Sequence, residues 1–428
     1  MGNSSKTIKC KIDSPLRAEY AWTLGIFSSY AGMDISVVES DEDILVAENT
    51  SNGIAVSHFF RNTYQSGDYH FKSYFRKEPL HYTAGNKPDY LSTCFYLLSF
   101  LQEYVDYHPD QYGRFPYAES LQKYFNCIDQ NLVVKYFDAL ISSVPLFSEH
   151  AAIQKKPSAF FLSHDIDSLY KGLGDHFNFL VKKGRIGVLL QMMFNHYVRT
   201  PDYMQLDKIL KIESEYDVRS TFFWIVNHGR GNRKIENADY IISDAKVVHA
   251  MDAISQSRSV NGLHKSFSRD SYAAELRKGG RHISPVNRNH YLLAELPDTF
   301  DALERDGIQL DATMGFADAI GFRNNYGWPV RPFHLKEKRP YAYMEVPLTI
   351  MDSTLKYYLK QDSHAARKTI FDFLENNRTN ALISLLWHNN YFFYRMDTGW
   401  LQLYKDLLQY IRENKMEALT PGDILIRY

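Results

Sequence analysis

A chain of 428 residues is long enough for two domains, each with an apolar core of its own. Lys and Arg total 49 against 50 Asp and Glu, and this near balance excludes a nucleic-acid binder that works through a basic surface. Cys10, Cys94 and Cys127 are widely spaced with no C-x-x-C, which excludes a disulfide framework and a cysteine zinc site.

The first twenty residues have no apolar signal core, and no run of about 18 apolar residues occurs anywhere. A soluble, cytoplasmic protein without a transmembrane segment is expected. Gly2, Asn3, Ser4, Ser5 and Lys6 match an acylation signal only in part. The 31 Tyr and 27 Phe are first of all packing residues, although sugar-binding clefts use the same ring faces.

Residues 1–150 read as a mixed α+β domain. Residues 6–13 alternate like a strand, and 16–30 have helical spacing with Pro15 at the start. Short strands are expected at 35–38, 44–47 and 54–58, then an irregular polar and aromatic stretch over 61–89. Residues 90–105 are apolar on nearly all sides, which predicts a buried helix. Residues 106–116 form a turn-rich connector and 132–141 another helix. Glu103, Asp110 and Arg114 are candidates for a structural ion-pair network.

Residues 149–157 read as a linker, and beyond it the pattern changes. Strands are expected at 159–162, 220–226, 260–263, 308–310, 344–348 and 381–386. Helices fall at 203–215, 239–254, 272–278, 299–305, 364–375 and 400–412. This alternation predicts an α/β fold over residues 157–428, with parallel strands and right-handed crossovers closed, or nearly closed, into a barrel.

The most informative stretch is SAFFLSHDIDSL, residues 158–169. Its apolar run reads as a buried strand whose carboxyl end opens into a site with Asp165 and Asp167. Two carboxylates on one buried platform repel, so a metal ion or an arginine must hold them. Other polar groups fall at strand ends: His264 after 260–263, Arg288 and His290 nearby, Asp311 after 308–310 with Arg323 beyond, and Trp387, His388, Asn389 and Asn390 after 381–386. A carboxylate pair, imidazoles and an arginine at one end of different strands suit a divalent-metal hydrolase. Carboxylate oxygen with neutral imidazole suits zinc and tolerates cobalt, iron or manganese.

Asp-x-Asp alone also fits an Asx turn or a nucleotide-sugar glycosyltransferase. A phosphatase loop wants Thr or Val where Leu169 stands. An EF-hand fails because Tyr170 occupies the glycine position and His176 that of the bidentate glutamate.

Taken in order, HDID, GLHKS, RNHY, LDATMGFADAIGFR and LLWHNN resemble the polysaccharide deacetylase family of carbohydrate esterases. The GRFP segment around Arg114 looks like the bacterial branch with an extra N-terminal domain. The resemblance implies a distorted (β/α) barrel of about seven strands over residues 157–428 and metal-dependent removal of N- or O-acetyl groups from sugars. By that resemblance Asp165 is the base, Asp167 a metal ligand, His264 the first of two ligand histidines, Arg288 the arginine that orients the base, and His388 the general acid. Asp311 is the candidate carboxylate that keeps His388 protonated, and Arg323 and Trp387 are candidate substrate-binding residues.

Two departures stand out. Ile166 separates aspartates that the family has adjacent, and Ser268 stands where the second ligand histidine belongs. Two protein ligands would hold zinc weakly, so His290 is the expected replacement, with His164 a poorer one. The expected partner is an acetylated glycan or sugar precursor, with no nucleic acid. A non-catalytic glycan-binding protein on a deacetylase scaffold and a DxD glycosyltransferase are the rival readings.

Overall fold

The computed structural model describes residues 7–50, 53–153 and 156–428. The segment with partial likeness to an acylation signal, residues 2–6, lies outside them.

The first strand, β1 (Ile8–Asp13), alternates as its sequence does: Ile8, Cys10 and Ile12 are buried and the residues between them face outward. Helix α1 (Arg17–Ala31) follows and stops where Gly32 takes a left-handed φ of 62° and its N–H bonds back to Ser28. Strands β2 (Ile35–Val38), β3 (Ile44–Ala47) and β4 (Gly53–Ala55) complete a parallel sheet in the order β2-β1-β3-β4.

The long helix expected from residue 90 is shorter. Asp89 caps α2 (Tyr90–Leu98) by accepting from the Ser92 N–H, and the chain breaks from helix at Phe100, which has a φ of 57°. Part of the stretch expected to be irregular is helical, at His58–Gln65 and Phe71–Tyr74. Helix α3 (Leu132–Ser143) packs on the same apolar core.

A second, eight-stranded sheet begins with β5 (Ala159–Ile166), buried at all eight positions as a strand covered on both faces must be. It continues with β6 (Thr221–Trp224), β7 (Val260–Lys265), β8 (Ser284–Asn289), β9 (Leu310–Asp311), β10 (Met344–Glu345), β11 (Ile350–Met351) and β12 (Leu382–Leu386). The order is β10-β9-β8-β7-β6-β5-β12-β11, and every neighbouring pair is parallel. The two edge strands, β10 and β11, are consecutive in the chain and only residues 346–349 separate them. That short link keeps the two edges near one another, so the sheet is curled, as in a distorted (β/α) barrel.

Two strands carry no clear sequence pattern. β8 reads SPVNRN, too polar to stand out, and β11 is two residues long. A helical hairpin, α4 (Gly172–Lys182) and α5 (Ile186–Val198), is a further addition to the expected elements; it has a small core of its own around Leu180, Leu189 and Met192. Among the described residues no helix is long and apolar enough to cross a membrane.

The two halves are keyed together by polar side chains as well as apolar ones. Tyr326, Val330 and Phe333, from the barrel half, join the core under the first sheet. Arg323, close by in the chain, donates to both oxygens of Glu103, at 2.8 and 2.6 Å, and to the Gly315 carbonyl at 2.7 Å. Arg114 pairs with Asp110 and reaches the Tyr291 carbonyl and the Tyr358 hydroxyl, each at 2.9 Å. Of the expected ion-pair network, Asp110 and Arg114 do pair, while Glu103 takes Arg323 instead.

Both side chains of the Glu103–Arg323 pair are 2% exposed. Removing one partner strands a buried charge, so Glu103→Ala should cost about 3–5 kcal/mol, read as a drop in the urea midpoint. A loss below about 1 kcal/mol, the range of exposed pairs, would show that the pair does not clamp the halves.

Candidate active site

Residues two apart on a strand face the same way, and neighbours face opposite ways. At the end of β5 this sends Asp165 and, just beyond it, Asp167 to one side, with His164 on the other. The Nδ1 of His164 meets the Trp387 carbonyl at 2.6 Å and its Nε2 meets Glu213 at 2.8 Å. His164 is thereby committed to the packing side and is no metal ligand.

The two aspartates have different neighbours. Arg288, from β8, donates to Asp165 Oδ1 at 2.8 Å and to the Ser163 hydroxyl at 2.9 Å, while its Nε donates to the Ala312 carbonyl. Its guanidinium lies 4.5 Å from the Phe223 ring centre. Asp165 is 3% exposed and Arg288 fully buried, so the pair is rigid and shielded.

Asp167 is met by imidazoles instead. His264 Nε2 stands 3.3 Å from Asp167 Oδ1 and 3.5 Å from Asp165 Oδ2. His290 Nε2 is 3.8 Å from the same Asp167 Oδ1, and His388 Nε2 is 3.7 Å from Asp167 Oδ2. The structure thus gathers Asp165, Asp167, His264, His290 and His388 at one opening, with Arg288 behind them.

The donor set can be tested against a cation. Asp167 Oδ1 is buried and has no hydrogen-bond partner among the described residues. His264 Nδ1 faces the Arg288 carbonyl at 2.8 Å, which puts a proton on Nδ1 and leaves Nε2 a lone pair aimed at carboxylate oxygens. Lone pairs turned on one another need a positive charge between them. One ligand atom each from Asp167, His264 and His290 lies within 4.8 Å of the others. One carboxylate and two imidazoles make three protein donors, the number that catalytic zinc sites use, so the residues present fit a divalent cation. Ser268 takes no part: its hydroxyl donates to Glu275 at 2.7 Å.

Without a cation, protons do the bridging. Burial opposes charge on Asp167, but His290, His264 and His388 outweigh it and hold the carboxyl below its usual range. Burial also opposes protonation of His264, yet Asp165 and Asp167 raise its proton affinity. Burial dominates at His290 and lowers its pKa to about 4, leaving a neutral ring.

His388 depends on a residue to which no sequence motif points. Asp352, fully buried just after β11, accepts from the His388 backbone N–H at 2.6 Å and meets its Nδ1 at 2.7 Å. Burial lowers the proton affinity of His388, but Asp352, then Asp167 and Asp165, raise its pKa to about 10. Asp352 therefore replaces Asp311 as the carboxylate behind this imidazole. Asp311 accepts from Asn287 and Thr313, and burial raises its pKa and that of its neighbour Glu345. The one signal for Asp352 in the sequence is the pattern seen at Asp165, an apolar run ending in an acid.

Two expected substrate contacts are placed elsewhere. Arg323 is 1% exposed and held by Glu103 and Gly315. Trp387 is fully buried between Tyr391, Trp400 and Tyr404. Both are packing residues; at Trp387 the reason is that the strand end that exposes His388 turns its neighbour inward.

A family model described as a family of unknown function (DUF7033) matches residues 8–145, which end before the barrel begins. No curated protein matches. Among solved structures, the chain is similar to one described as a putative polysaccharide deacetylase involved in O-antigen biosynthesis from Bordetella bronchiseptica. Identity is 12% over 63% of this chain and 83% of that one, with a TM-score of 0.32. It is similar to a CE4 family pseudoenzyme from Bacillus anthracis at 10% identity, over 64% and 68% of the two chains, with a TM-score of 0.29. A 4-alpha-glucanotransferase from Thermococcus litoralis matches at 12% identity, over 64% and 41%, with a TM-score of 0.35.

The Asp352–His388 pair carries its own test. A folded-state pKa raised above the ordinary 6.5 contributes stability that is full below pH 6.5 and lost as the pH rises through about 10. In the metal-free protein the His388 ring, followed by NMR, should titrate near 10, and in Asp352→Asn well below that. An unchanged midpoint would show that Asp352 does not hold the proton.

Proposed function

We propose that the barrel is a metal-dependent hydrolase that removes acetyl groups from an N-acetylated or O-acetylated sugar of a polysaccharide or its precursor. The observation that carries this reading is the convergence of one arginine-held carboxylate, a three-donor cation site and a carboxylate-backed imidazole on a single opening. The ordered motifs that resemble those of polysaccharide deacetylases supply the acetylated sugar as the substrate class.

Asp167, His264 and His290 would hold a divalent cation, zinc by preference of the donor set, which supplies Lewis acidity toward an acyl oxygen and makes water more acidic. Asp165, held in one orientation by Arg288, takes the proton from the attacking water. Attack gives a tetrahedral centre whose collapse requires a proton on the departing atom. His388 gives that proton from Nε2, the nitrogen facing the site, because Asp352 occupies Nδ1. An amine leaves poorly without a proton and an alcohol less so, hence His388 matters more for an amide than for an ester.

The division into residues 1–150 and 157–428 belongs to the same reading. Each part has its own sheet, which supports two domains, and the loop carrying Arg114 reaches the Tyr291 and Tyr358 contacts beside the opening.

Acetate release from a panel of N- and O-acetylated oligosaccharides tests the assignment. Asp165→Asn and His388→Ala should each lower turnover by about 10²–10⁴-fold, while the thermal midpoint stays that of a folded protein. Activity at the wild-type level in either variant would overturn the assigned roles.

A further inference from the structure

The hairpin α4–α5 exposes apolar side chains that its own packing does not use. On α5, Leu190, Phe194, Tyr197 and Val198 follow helical spacing, and they are 59%, 48%, 74% and 66% exposed. Phe177 and Val181, four apart on α4, are 45% and 46% exposed. Leu180, Leu189 and Met192 face inward and close the hairpin, so each helix is apolar on two sides. A surface helix normally shows one such side.

The charge of the segment says what the second side faces. The hairpin carries Lys182, Lys183 and Arg185, with Arg199 directly after it, and its one acid, Asp175, sits in the first turn of α4 away from the tip, in a chain whose net charge is −1. Lys182, Lys183 and Arg185 are exposed at the turn around Gly184, which has a φ of 64°. Exposed Leu, Phe and Tyr flanked by Lys and Arg is the composition of a helix lying in an anionic membrane interface. A second copy docked on the same face would set cations against cations, which disfavours a dimer here.

The hairpin is also fixed relative to the candidate site. It starts five residues after Asp167, and the link is clamped by Asp239, which accepts from the backbone N–H groups of Leu169, Tyr170 and Lys171 at 2.8 to 2.9 Å. The segment therefore springs from the end of β5 that carries the acidic groups.

We propose that α4–α5 is a membrane-docking hairpin that binds anionic lipid and presents the barrel opening to an acetylated glycan carried on a lipid. The lipid-carried substrate rests on the hydrolase reading, whereas the docking does not.

Sedimentation with phosphatidylcholine vesicles, with and without phosphatidylglycerol, tests it on the full chain. The protein should bind the phosphatidylglycerol vesicles and release them as salt is raised. Lys182→Gln with Lys183→Gln should weaken binding by roughly thirtyfold, and Leu190→Glu with Phe194→Glu should abolish it. Both variants should keep wild-type turnover on a water-soluble acetylated oligosaccharide. No binding by the wild type, equal binding by the variants, or a solution dimer that the same substitutions dissociate would each overturn the proposal. Vesicle binding without acetate release would sustain the docking and defeat the hydrolase reading; acetate release without vesicle binding would do the reverse.

Discussion

Two carboxylates at the end of one buried strand can both stay ionised only if each is given a different positive neighbour. The barrel arranges this by curvature. β8 brings Arg288 against Asp165, at 2.8 Å, and β7 and the turn after β8 bring His264 and His290 against Asp167. The division of partners also divides the chemistry: the arginine-held carboxylate is fixed in place, while the other presents a buried oxygen without a hydrogen-bond partner among the described residues. Most of the site's remaining geometry serves this separation.

The same logic governs His388. Its Nε2 faces Asp167 while its far nitrogen is tied to a second acid, Asp352, beside the edge strand, and together they hold a proton on the ring to high pH. The short β11 is therefore as important to the site as the long β5. Parallel pairing of β11 with β12, Met351 beside Leu386, sets Asp352 next to the end of β12.

Much of this is legible in the sequence because the strands at 159–162 and 381–386 are largely apolar and, like the one at 260–263, end abruptly in the polar groups that matter. What stays hidden does so for physical reasons. β8 turns Asn287 and Asn289 toward buried partners, so its sequence looks like a loop. β11 is too short to show a period. Asp311 ends its strand and Asp352 directly follows one, and only the fold shows which of them lies behind His388. The hairpin escapes because its helices are apolar on two sides and interrupted by glycine, a pattern with no single stripe to read. Arg323 and Trp387 look available because a sequence does not reveal which polar or aromatic groups already have partners.

That Asp167, His264 and His290 form one cation site is tested most directly by titrating metal-free protein with zinc in a calorimeter. One zinc ion per chain is expected, with proton release if His264 carries the bridging proton beforehand, and a large loss of affinity in His290→Ala. An absence of zinc binding, or binding unaffected by His290→Ala, would contradict it.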